Sequence, residues 1–395
     1  MIDIIPNFDA QLVTDVQNHY KENILPRIRD YSKTILIDEK KDIFNNIFSN
    51  DEVISLINAT PDAIEAYANR VYTHFPEFAE RYHPHLIYKK ITEDLSIFDT
   101  IENTTGNEKI ITEKAHSVIT AINESNTANH QELFRAFKTD LVGTNTKKLN
   151  ALKRIQGFKS QNYKITVPYI NSLPEWTRSP FNMFNYNAFR GIFGRRIIEA
   201  HSLSSCPFCA HDSVEIINGV RKNHLPALDH YLPKSKYPFL ALSLQNLLPT
   251  CHKCNTSFKG ETDTYQAYYH PLRDRIYDIN IFNFHLALDT PFDTPPPETL
   301  SIFIKSNNDK VMKNAALFEL DSLYNLSQCK KIFFDARERY EFHKNKGVDS
   351  ISEILSSNYL TRIQIAIDRE ADPKRHPLQK FKLEVLKKIS EDLLP

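Results

Sequence analysis

The sequence predicts a mainly helical protein with one small α+β module folded around zinc. Three observations predict it. Apolar residues recur at three- and four-residue spacing in stretches on both sides of the middle. Glycine is scarce, 8 in 395 residues, which argues against turn-dense β architecture; neither the dinucleotide-binding nor the P-loop glycine signature occurs. Two Cys-x-x-Cys pairs, Cys206/Cys209 and Cys251/Cys254, stand near the centre of the chain.

The elements follow in order. Residues 1–145 read as helical. Thr60-Pro61-Asp62 combines an N-cap, a proline at the first helical position and an acid in the first turn. Ile64, Tyr67, Ala68 and Val71 then recur at helical spacing, and Leu133 with Phe137 gives a shorter stretch; the polar run around Asn103 to Asn107 reads as a loop. Residues 161–183 mix proline with aromatics and read as irregular. Residues 185–200 read as a helix with Phe189, Ile192, Phe193 and Ile197 on one side, where Gly191 and Gly194 either weaken the helix or mark close packing. Residues 201–275 hold the cysteines. After them come a proline-rich turn, Thr294-Pro295-Pro296-Pro297, and a short strand, Leu300–Ile304. Two helical patterns end the chain: Leu326, Cys329, Ile332, Phe333, Ala336 and Tyr340, then Phe381, Val385, Leu386 and Ile389. The expected organisation is an acidic helical domain (1–145), a basic segment with its helix (146–200), the zinc module (201–275) and a mainly helical C-terminal region (276–395).

The formal net charge is zero, 49 basic against 49 acidic residues, which weighs against a nucleic-acid binder until the sum is divided. Residues 1–145 carry 14 basic and 23 acidic side chains; residues 146–200 carry ten and two. Cations in that number grip a polyanion by releasing its counterions. Arg190, Arg195 and Arg196, on the helix just before the cysteines, are the leading candidates, with Lys234 and Lys259 inside the module. Pairing with the acidic segment is the alternative use of the same cations. The N-terminus has neither the basic start nor the apolar core of a signal peptide, and no run approaches the ~18 apolar residues of a membrane span. A cytoplasmic protein without membrane association is expected.

Four thiolates satisfy tetrahedral zinc with no open position, so Cys206, Cys209, Cys251 and Cys254 make a structural site. Between the pairs lies Asp229-His230. Strand neighbours point to opposite faces, so both serve one site only at a strand edge or a bend. A hard divalent cation takes oxygen ligands; Asp229 offers one and Asn255, held by the second pair, another. His230 is suited to deprotonating water near neutrality. Asn246 is placed to hydrogen-bond across a hairpin and steady the histidine. His252 reads as facing solvent, His270 as a loop histidine with phosphate contact as the alternative, His224 stays open between the same two readings, and Cys329 reads as core.

The order Asp229-His230, Asn246, Cys251-x-x-Cys254-Asn255 within a four-cysteine frame resembles the HNH, or ββα-metal, endonuclease family in its zinc-containing branch. The resemblance covers about 75 residues, 201–275. It implies His230 as general base, Asp229 and Asn255 as ligands of a catalytic Mg²⁺ or Mn²⁺, Asn246 as the hairpin asparagine, and the four cysteines on zinc. Many family members have histidine at the position of Asn255. The implied activity is hydrolysis of phosphodiester bonds in DNA, with RNA as the alternative substrate. HNH modules with large helical extensions resemble effector nucleases of bacterial anti-phage defence, some working beside an ATPase partner.

A competing expectation is a non-catalytic zinc ribbon that binds nucleic acid or acts as an adaptor; it needs the cysteines but neither Asp229 nor His230. A zinc deaminase is excluded, since proline does not adjoin Cys251 as that signature requires. The helical flanks suit a homo-oligomer contact, target recognition, or an acidic cover competing with DNA.

Overall fold

The computed structural model describes residues 1–125, 133–179, 181–276, 279–287 and 297–391. Thr294, Pro295 and Pro296 of the expected proline turn lie outside them. The protein is mainly helical with two small antiparallel sheets, β1 (Ala227–His230) with β2 (Leu247–Thr250), and β3 (Phe282–Leu286) with β4 (Leu300–Ile304). Among the described residues no helix is long and apolar enough to cross a membrane.

The chain forms two compact units. A helical unit comprises Asp15–Tyr186 and Leu232–Ser243; a cysteine unit comprises Met1–Thr14, Asn187–Tyr231 and Leu244–Pro395. These boundaries differ from the four expected segments because the chain crosses between units four times. Its first residues pair with the cysteine unit: the amides of Ile2, Ile4 and Asn7 donate to the carbonyls of Pro207, Pro271 and Ala200. Asp3 accepts from the Tyr269 hydroxyl at 2.5 Å and the Ile276 amide at 3.1 Å. The connection between β1 and β2 belongs to the helical unit, where Phe239 packs against Phe181, Tyr72 and Tyr67 with ring centroids 5.3, 5.5 and 6.0 Å away.

In the helical unit Thr60 caps the Pro61–His74 helix by accepting from the Ala63 amide, and Ile64, Tyr67, Ala68 and Val71 are buried as their spacing requires. The region around 161–183 is more ordered than expected, holding a helix at Val167–Ser172. Its proline at the second position lacks only a backbone N–H that the helix start does not use.

The next helix, Pro76–Tyr82, buries Glu77, Glu80 and Arg81. Lys40 pairs with Glu77. Glu80 is enclosed by aromatic residues: its Oε1 accepts from the Tyr88 hydroxyl at 2.6 Å and the Phe134 amide at 2.8 Å, while Oε2 has no hydrogen-bond partner. Burial pushes this carboxyl up to about 7, outweighing both hydrogen bonds.

The cysteine unit contains the helix Tyr186–His201, the hairpin β1–β2, and the pair β3–β4, whose Phe282 and Phe284 pack on Phe381 and Phe333 of the helices Gln379–Ser390 and Ser327–Lys344. Phe189, Phe193 and Ile197 are buried as expected, but Ile192 is exposed. Gly194, Ile198 and His201 complete the buried arc, and an arc centred on them turns Ile192 outward. Gly194 is a close-packing glycine, since a Cβ there would lie 2.9 Å from Arg190 Cγ; Gly191 faces open space. Cys329 sits in the core with Phe333, Ala336 and Tyr340.

The folded protein holds the Glu80 proton into a range where an unfolded glutamate has lost it. Stability is therefore expected to fall as pH rises from about 4.5 to about 7, by on the order of 3 kcal/mol from this group. Glu80→Gln should remove that dependence. Urea melts of both proteins at pH 5 and pH 8 check it; equal pH dependence in the two contradicts it.

Candidate metal centre and the adjoining hairpin

Each Cys-x-x-Cys turn brings two sulfurs to one side of the backbone, and the fold brings the two turns together. The four Sγ atoms are buried and lie within 4.8 Å of one another, with Cys209 and Cys251 at 3.9 Å. Tetrahedral zinc with Zn–S bonds of ~2.3 Å separates its sulfurs by about 3.8 Å, so the spacing fits that ion. The donor set fits as well: four soft sulfurs leave no open position, which is consistent with a structural zinc. Contacts with the Cys206 sulfur, then Cys209 and Cys251, push the Cys254 thiol well above its ordinary value; a dication at the centre reverses that balance.

The surroundings tie the centre in place. The Cys206 amide donates to the Asp212 carbonyl and the His211 amide to the Cys209 sulfur at 3.5 Å. Tyr324 donates its hydroxyl to the Cys209 carbonyl at 2.7 Å. Asp212 joins the two turns: it accepts from His211 Nδ1 at 2.7 Å and pairs with Lys253 at 3.0 Å. His211 first, and then Lys253, hold its carboxyl well below the usual carboxylate range. Sequence reasoning missed this bridge, although His211-Asp212 directly after one pair and Lys253 within the other were its signal.

The hairpin runs directly into the second cysteine pair. In its register Asp229 faces Leu248 and His230 faces Leu247, and the Tyr231 amide closes the end on the Asn246 carbonyl at 2.9 Å. Asn246 thus spans the hairpin through its backbone, with its side chain buried. Two residues past Cys251 a widened helical turn, Lys253–Lys259, begins; the Gly260 amide reaches back five residues to the Asn255 carbonyl. Turns of this π type occur often at functional sites.

Asp229 is buried beside that helix. Its Oδ1 accepts from Lys259 Nζ at 3.1 Å, and the same ammonium donates to the His230 carbonyl at 2.7 Å. Oδ2 has no hydrogen-bond partner. Burial raises the carboxyl to about 6, offset only in part by Lys259. His230 is buried, and its strand position points it to the opposite face from Asp229. Asn255 is half-buried in the first turn of the helix whose last turn carries Lys259; it makes no hydrogen bond to Asp229.

The expected phosphate-binding cations are mostly engaged within the protein. Lys259 is buried on Asp229 rather than exposed to a backbone phosphate. Arg190 donates to the Pro226 carbonyl at 3.1 Å, just before β1. Arg195 pairs with Glu199 at 2.9 Å and donates twice to Asn218 Oδ1 at 3.0 Å. Arg196 approaches Asp9 at 4.0 Å. Lys234 belongs to the helical unit, where its ammonium lies 4.9 Å from the Tyr186 ring centroid.

Other histidines hold the site in shape. His201, at the end of the Tyr186–His201 helix, bonds the Leu247 carbonyl at 2.9 Å through Nε2; burial lowers it to about 4, so it is neutral and donates. The His270 ring packs on Tyr231 at 3.9 Å, and burial lowers it to about 3. His224 and His252 are exposed.

No protein-family model matches the chain, and neither a curated protein nor a solved structure matches it.

Cys251→Ser is expected to abolish zinc binding and to lower the melting temperature by at least about 10 °C, because closure of the site contributes folding energy directly. Zinc content by elemental analysis and a thermal melt check this. A variant that keeps wild-type stability while losing its zinc would contradict a structural role.

Proposed function

We propose that the cysteine unit carries a metal-dependent endonuclease of the HNH, ββα-metal kind, hydrolysing phosphodiester bonds in DNA. The observation that carries the reading is Asp229: a buried carboxylate with one unpartnered oxygen, adjoining a histidine, on a hairpin whose second strand leads into a four-cysteine centre. A carboxylate oxygen without a donor is costly unless something charged meets it. Hard oxygen donors at Asp229 and Asn255 suit Mg²⁺ or Mn²⁺. Such an ion, when bound, polarises the phosphate and offsets charge on the leaving oxygen.

The remaining work falls to side chains. His230 takes the proton from the attacking water, and needs its neutral form to do so. Asn246 holds the end of β1 against β2 and so fixes where His230 sits. Lys259, already on Asp229 and the His230 carbonyl, keeps the aspartate ionised and the strand end in place. The anti-phage setting and an ATPase partner rest on the family resemblance alone.

A second reading is favoured by the same ammonium. A buried Lys259–Asp229 pair also suits a zinc ribbon without catalysis, in which the pair is structural. Two measurements separate the readings. Wild-type protein with Mg²⁺ or Mn²⁺ is expected to cut plasmid DNA, EDTA to stop it, and His230→Ala to lower the rate by roughly 10²–10⁴-fold with zinc content unchanged. Asp229→Asn is expected to lose Mn²⁺ binding measured by titration calorimetry. Cleavage by the His230 variant at the wild-type rate would sink the assignment.

A further inference from the structure

Between the first cysteine pair and β1 the chain makes a small finger. Ile217 and His224 exchange both backbone hydrogen bonds, at 3.1 and 2.9 Å, and close the loop 218–223. Its tip is tight at Gly219, where a Cβ would lie 2.5 Å from the Lys222 carbonyl oxygen. All eight residues from Ile217 to His224 are exposed, and Val220 at the tip is wholly in solvent. The tip holds Arg221 and Lys222 and no acid. Among the described residues neither cation pairs with a carboxylate.

The arginines of the Tyr186–His201 helix hold this finger at both ends. Arg195 grips Asn218 at its base, and Arg190 holds the Pro226 carbonyl where the chain leaves it for β1. Both guanidinium groups thus brace the finger from within the unit, while the two cations at its tip are unpaired. We propose that the finger 217–224 is a contact for the backbone of duplex DNA, with Arg221 and Lys222 on phosphates and Val220 entering a groove; this rests on the nuclease reading for its place beside the cut. Lys222 lies seven residues from Asp229, a reach of at most about 25 Å, so the phosphates it meets fall within one turn of the scissile bond. The finger has no phenylalanine, tyrosine or tryptophan on which unpaired bases would stack, and a bare apolar side chain next to two cations suits entry into a duplex groove.

The test is fluorescence anisotropy of a labelled 20-base-pair duplex and of one of its strands, in EDTA, across salt concentrations. Arg221→Ala/Lys222→Ala is expected to bind the duplex more weakly and to lower the slope of log K against log salt by about 2. Arg221→Lys/Lys222→Arg is expected to keep the slope, and zinc content to match wild type in both. An unchanged slope in the alanine variant, a loss confined to the single strand, or no duplex binding by wild type overturns the finger. Plasmid cleavage by the wild type is scored separately. Cleavage with an unchanged slope leaves the nuclease and removes the finger; a lowered slope without cleavage does the reverse.

Discussion

Four cysteine sulfurs within 4.8 Å of one another are the constraint from which the rest of the cysteine unit is arranged. They join turns 42 residues apart in sequence, and closing a loop of that length costs entropy that short strands of four residues cannot repay. With the centre closed, Cys251 fixes the end of β2 and Cys254 fixes the start of the following helix. The remaining geometry follows from these two points. The β1–β2 register sets Asp229 opposite Leu248, and the helix carries Lys259, five residues after Cys254, onto that carboxylate. A metal that closes the cysteines therefore also sets the charge environment of a residue it does not touch.

The helix Tyr186–His201 provides the second anchor, through polar contacts more than through its apolar face. His201 stays neutral and donates to the Leu247 carbonyl, which stops β2 from sliding along β1. A one-residue slip would exchange the faces of Asp229 and His230. Arg190 holds the residue before β1 by the same logic, and Gly194 leaves room for the Arg190 stem and for Leu228. The guanidinium groups of Arg190 and Arg195, which bond a backbone carbonyl and an asparagine oxygen, thus act as scaffold for the chain before β1.

Local signals were legible and long-range partners were not. The Thr60 cap, the apolar stripe after it, the β4 strand and the Cys329 core position depend on neighbours within a few residues, and the fold follows them. Cysteine spacing is also local, and the two turns converge. The partner of Lys259 lies 30 residues away, and its identity depends on a hairpin register and a helix angle together; as a sequence feature a lysine before a glycine reads as surface charge. Ile192 fails for a related reason: the apolar pattern alone cannot weigh a buried glycine and a buried histidine as part of the core arc. The segment boundaries were illegible because charge changes along the chain at residue 146, whereas packing changes at residues 15, 187, 232 and 244.

That last difference changes the meaning of the charge pattern. Most of the acidic stretch and most of the basic stretch that follows fold into one unit. The helical unit holds 23 basic against 22 acidic residues, and the cysteine unit 26 against 27. Neither unit has a net field able to draw a polyanion from a distance, since a charge imbalance of one is screened within about 10 Å at ordinary ionic strength. The acidic and basic stretches are therefore not separate bodies: each unit mixes both signs nearly evenly. Affinity for nucleic acid has to come from a few cations that stand apart from any carboxylate, at short range and with strong dependence on salt. In the cysteine unit the finger supplies two of these, on a support built from the arginines that sequence alone would have assigned to the DNA.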